Sequence, residues 1–77
     1  MKQHRFKVLL EWDPEDSVWV SYVPALNHLS TFGETRDEVL ALTKEAILGY
    51  LETAERENIQ VSSEDQPLEL TEIEILA

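Results

Sequence analysis

The chain has 77 residues, with six Lys and Arg against sixteen Asp and Glu and a formal charge of -10. That length sets one domain, 1–77, around one small core that buries only about 60% of the surface its unfolded chain exposes, and the absence of Cys removes disulfides and thiolate-bound metal as supports. From Glu45 onward Arg56 is the only basic residue, so direct nucleic-acid binding is not expected, and no apolar run approaches the roughly 20 residues of a membrane span.

From Arg5 to Trp12 apolar and polar residues alternate, which predicts a first strand with Phe6, Val8, Leu10 and Trp12 on its core face and Leu9 interrupting the polar one. Asp13-Pro14-Glu15-Asp16-Ser17 reads as a turn, because Pro14 fixes its own φ and the short polar side chains bond local backbone. Val18 to Val23 is rich in branched and aromatic residues and predicts a second strand. Placing Val18, Val20 and Tyr22 on the core face leaves Leu9, Trp19 and Val23 as an apolar patch on the outer face, with Trp19 as the natural anchor of an interface. The alternative is that Trp19 is core and the even-numbered set is outer. In both cases the sheet has more apolar surface than one amphipathic helix covers.

Pro24 ends the second strand or lies on an edge, and Leu29 to Phe32 predicts a short third strand closed by Gly33. Thr35-Arg36-Asp37-Glu38 fits a capping box at the start of a helix from Arg36 to about Glu57, with Asn58 as its C-terminal cap. Val39, Leu42, Thr43, Ala46, Ile47, Tyr50, Leu51 and Ala54 gather on one face of that helix. Leu48 falls outside the stripe, and Gly49 costs about 1 kcal/mol of helix propensity, a loss offset where the helix passes close to the sheet or to another helix. After a polar loop, Thr71 to Leu76 alternates again and predicts a last strand, with Ile73 and Ile75 inward and Glu72 and Glu74 outward. The fold class is α+β, a two-layer β-β-β-α-β sandwich with a mostly antiparallel sheet and one long helix on one face.

No nucleophile and base pair, no glycine-rich phosphate loop and no metal-ligand spacing is present, so neither catalysis nor a cofactor or metal is expected. His28 has no basic neighbour in sequence that would stabilise an anionic transition state, and Asp13, Glu15 and Asp16 lack the spacing of a calcium loop.

The stretch from Tyr22 to Glu38, Y-V-P-A-L-N-H-L-S-T-F-G-E-T-R-D-E, resembles the HicB-type antitoxin family, in the relative spacing of Pro24, Leu26, Gly33, Thr35 and Glu38 above all. The likeness extends through the first strand, the Asp13–Asp16 turn and the helix to Leu51. It implies a partial ribonuclease-H-like domain that dimerises and sequesters a small basic ribonuclease toxin; the cytoplasm is the expected setting because no targeting segment or Cys is visible. Where the family usually has a Pro-Gly-Cys or Pro-Gly segment this chain has Asn27 and His28, and the C-terminal DNA-binding domain common in the family is not expected within 77 residues. The expected interface comprises Leu9, Trp19, Val23, Pro24, Leu26 and His28, with Gly33, Thr35 and Glu38 as structural motif. The alternative is a standalone homodimer or higher homo-oligomer, structural or regulatory, without a toxin partner.

Overall fold

The computed structural model describes residues 5–59, 61 and 67–76. The element order is β1 (Leu9–Asp13), β2 (Val18–Val23), a 3₁₀ turn (Pro24–Leu26), β3 (Leu29–Gly33) and α1 (Arg36–Arg56). The strands form one antiparallel sheet in the order β1-β2-β3, and α1 packs on one side of it. This is the expected α+β arrangement of three strands and a helix. The helix α1 lies over β3 and β2 and hardly touches β1.

Local chemistry explains each junction. Between β1 and β2 the Asp13 carboxylate accepts from the Glu15 N–H at 3.0 Å, and Ser17 closes the turn at φ 53°. Thr35 caps α1, its hydroxyl accepting from the Glu38 N–H at 3.0 Å, and Asp37 and Glu38 lie at the positive end of the helix dipole. The Glu38 carboxylate reaches back one residue further than the capping box predicted, accepting from the Glu34 N–H at 3.0 Å. At the other end Asn58 takes the left-handed conformation at φ 58°, its N–H donating to the Glu55 carbonyl and the Ile59 N–H to the Ala54 carbonyl. That pair of bonds is a Schellman motif, which satisfies carbonyls the helix end would otherwise leave free.

Register decides which side chains enter the core. Asp13 pairs with Val18 across the turn and Leu10 with Ser21, so even positions of β1 share a face with odd positions of β2. Val23 pairs with Leu29 and Ser21 with Thr31, so odd positions of β3 join them. Leu10, Trp12, Trp19, Ser21, Val23, Leu29 and Thr31 therefore face α1. The buried apolar side chains are Val23, Leu26, Val39 and Ala54. Gly33 lies beneath the start of α1, where an added Cβ would stand 2.9 Å from the Val39 nitrogen. Only a residue without a side chain lets strand and helix approach that closely.

A polar cluster lies at the centre of this core. Ser21 and Thr43 are buried, and their hydroxyls are 2.7 Å apart. The Thr31 hydroxyl lies 2.9 Å from each of them, and the Thr31 N–H donates to the Ser21 oxygen at 3.2 Å. Thr43 also donates to the Val39 carbonyl one turn back, at 2.6 Å. Thr43 has one proton to share between its Ser21 and Val39 acceptors, and the Thr31 hydroxyl can donate to or accept from either neighbour, so each hydroxyl of the triangle has a partner.

Three expectations change. The pattern in 71–76 forms no strand among the described residues: Ile73 is 81% and Ile75 77% exposed. Alternation gives a segment one apolar edge, but a strand also requires a partner edge to bond. Leu42, expected in the covered stripe, is 38% exposed because it lies toward the flank of the helix rather than over the sheet. Among the described residues nothing lies within 4 Å of the place a Gly49 Cβ would take, so no close approach there accounts for it.

Candidate interaction face

The side of the sheet away from α1 carries Leu9, Glu11 and Asp13 from β1, Val18, Val20 and Tyr22 from β2, and Ser30 and Phe32 from β3. Among the described residues no second layer of secondary structure covers it. Phe32 is 68% and Leu9 36% exposed, and Val18, Val20 and Tyr22 are half-buried between their neighbours. An antiparallel sheet commonly leaves one face to solvent, but that face is then mostly polar. Here aliphatic and aromatic side chains form its middle, with carboxylates beside them.

The acidic part of the face is local to β1 and the turn. Tyr22 and Glu11 are diagonal neighbours, the phenol pointing at the carboxylate at 3.4 Å, the outer limit of a hydrogen bond. Partial desolvation, then the charge of Glu11 and that of Asp13, raise the Tyr22 pKa above its ordinary value. The phenol is therefore neutral through the physiological range and presents a donor beside the acidic groups.

Six residues were expected to form the interface, and the structure divides them. Leu9 is on the open face, as expected. Trp19 and Val23 are on the helix side instead, Val23 fully buried and Trp19 half-buried against Trp12, their rings edge to face with centroids 5.5 Å apart. The reason is the register: Val18, Val20 and Tyr22, expected inside, are the outward set. Leu26 is a core residue at 1% exposed, because the 3₁₀ turn after Pro24 folds it beneath the sheet end. Pro24 is half-buried at the first position of that turn, where its missing N–H is harmless.

His28 is exposed, and it follows Asn27 in the left-handed conformation, at φ 58° and 57°. Glycine takes that conformation without steric cost; Asn and His are the side chains that tolerate it best.

Phe32 has no place in the expected interface, and Val18, Val20 and Tyr22 are outward only in the alternative parity, which is the one the structure adopts. The signal that would have found them is turn length. A four-residue connection sets Asp13 opposite Val18, an odd position against an even one, which fixes the faces of β2 once those of β1 are known.

Among the described residues there is no group of three or more His, Asp or Glu placed to hold a cation, and no helix is long and apolar enough to cross a membrane. No family model matches the sequence, and no curated protein matches it either.

Proposed function

We propose that the chain is an antitoxin-like binding module that sequesters a small basic protein on its open sheet face. The observation that carries this reading is the face itself: an aliphatic and aromatic centre around Phe32, bordered by Glu11 and Asp13, on a molecule of charge -10. Aromatic side chains supply most of the binding energy in the centres of protein interfaces. Acidic surroundings speed encounter with a cationic partner and disfavour neutral or acidic ones. The likeness of Tyr22 to Glu38 to HicB-type antitoxins supports a ribonuclease toxin as that partner and a cytoplasmic setting for the pair. In this reading the module masks its partner by contact and performs no chemistry of its own.

Phe32→Asp separates docking from folding. The side chain is largely in water, so the variant should unfold at nearly the same urea concentration as the parent, within about 0.5 kcal/mol. Affinity capture from native cytoplasm with the parent chain should recover one small basic protein, identified by mass, and its affinity should fall about thirtyfold or more for the variant. Capture of nothing basic, or equal capture by parent and variant, contradicts the proposal.

A further inference from the structure

We infer that the free edge of β3, with the groove beside it, receives the segment 70–76 of a second copy of this chain as an added strand. The groove has a volume of about 370 Å³ and is lined by Leu29, Ala46, Gly49, Tyr50, Thr53 and Ala54, with Ile59 at its end. Among the described residues Leu29 is the only strand residue in that lining, so the groove opens on the β3 side of the helix and not toward β1 or β2. Its walls are uncharged and mostly apolar. It adjoins a strand that, among the described residues, stands at the end of the sheet with no strand beyond it.

The occupant is written in the same chain. Thr71 to Leu76 alternates apolar and acidic side chains like a strand, yet it pairs with no strand among the described residues, and Leu70, Ile73 and Ile75 are 89%, 81% and 77% exposed. A segment with unpaired backbone and one apolar parity is stabilised by an open sheet edge with a hydrophobic trough beside it. Laid along β3, it would point Ile73 and Ile75 into the groove under α1 and Glu72 and Glu74 toward the opposite side of the sheet.

The edge of β1 is the poorer acceptor. The helix hardly reaches β1, so a strand added there would leave Ile73 and Ile75 with no layer above them. At β3 the helix overhangs the added strand. Gly49 gains an explanation too: a glycine within α1 whose Cβ would meet nothing among the described residues lines the trough where a second backbone passes. Exchange between two copies is self-complementary and closes on a two-fold axis, which adds a strand to each of two small sheets. It uses the helix side of the β3 edge, so it stands independently of partner capture on the open face.

Sedimentation of the full chain in the micromolar range should show a dimer. Ile73→Asp with Ile75→Asp should weaken it about a hundredfold or more, each buried Ile being worth about tenfold or more. Gly49→Leu, whose side chain enters the trough without meeting its own chain, should give a folded monomer by circular dichroism. The chain has no Cys, so one chain carrying Ser30→Cys can be mixed with another carrying Glu72→Cys or Glu74→Cys; a disulfide between the two chains is expected. A parent chain that stays monomeric, a dimer unchanged in both variants, or a disulfide that forms only within one chain carrying both cysteines overturns the proposal.

Discussion

Leu26→Ala is expected to cost about 2–5 kcal/mol of folding free energy, more than any single change on the open face. The side chain is 1% exposed and sits in the turn that carries the chain from β2 to β3, so truncation leaves a cavity where neighbouring backbone is short and tightly connected. A domain of this size has roughly 4–12 kcal/mol in total, at about 0.05–0.15 kcal/mol per residue. The midpoint of thermal unfolding should fall by more than about 10 °C, and urea titration should show a lower midpoint at unchanged slope. Leu26→Met, which keeps the volume, should cost less than about 1.5 kcal/mol. The contrast matters because this residue belongs to a motif whose likeness suggests contact with another protein. If Leu26→Ala left the midpoint unmoved and weakened only partner binding, its assignment to the core would be wrong.

Ser21→Ala should be the most damaging change among the core hydroxyls, at about 1–3 kcal/mol. The Ser21 oxygen is the hub of the cluster, meeting the Thr43 hydroxyl, the Thr31 hydroxyl and the Thr31 N–H. Its removal takes that acceptor from the half-buried Thr31 N–H and a partner from the buried Thr43 hydroxyl, and a polar group left without its partner in a core costs more than a hydrogen bond contributes. Thr43→Val keeps the shape and leaves Ser21 and Thr31 bonded to each other, so its cost should be about 1 kcal/mol. Because the two residues share a bond, the double variant should cost less than the two single losses taken together, with a coupling of about 0.5–1 kcal/mol. A double-mutant cycle in urea measures this. Strict additivity, or a neutral Ser21→Ala, would show that the cluster does not act as a unit.

Much of the fold is legible residue by residue where the cause is local. The Asp13 turn, the Thr35 cap, the left-handed Asn58 and the close approach at Gly33 depend on chemistry within a few positions, and the sequence patterns there match the geometry. Facing is less local. Val18, Val20 and Tyr22 look as apolar as Trp19 and Val23, so composition gives no preference between the two parities, and only the hairpin register resolves them. The buried set makes the ambiguity worse, since the centre of the core is Ser21 and Thr43 rather than the bulkiest residues available. Polar residues that satisfy one another in threes cannot be recognised from a strand read alone, because their partners lie on another strand and on the helix. The last segment shows a third kind of limit. Thr71 to Leu76 carries the alternation of a strand, but pairing is a property of two segments, and no pattern within one of them names the other.

The offset of α1 toward β3 leaves both indoles together at the opposite flank, Trp12 45% exposed and edge-on to Trp19. They are the only two tryptophans in the chain, so its ultraviolet emission comes chiefly from a single corner. That corner is remote from the trough beside β3 and on the reverse of the sheet from Phe32. The optical signal of this protein is therefore tied to the integrity of the hairpin and nearly blind to either contact surface.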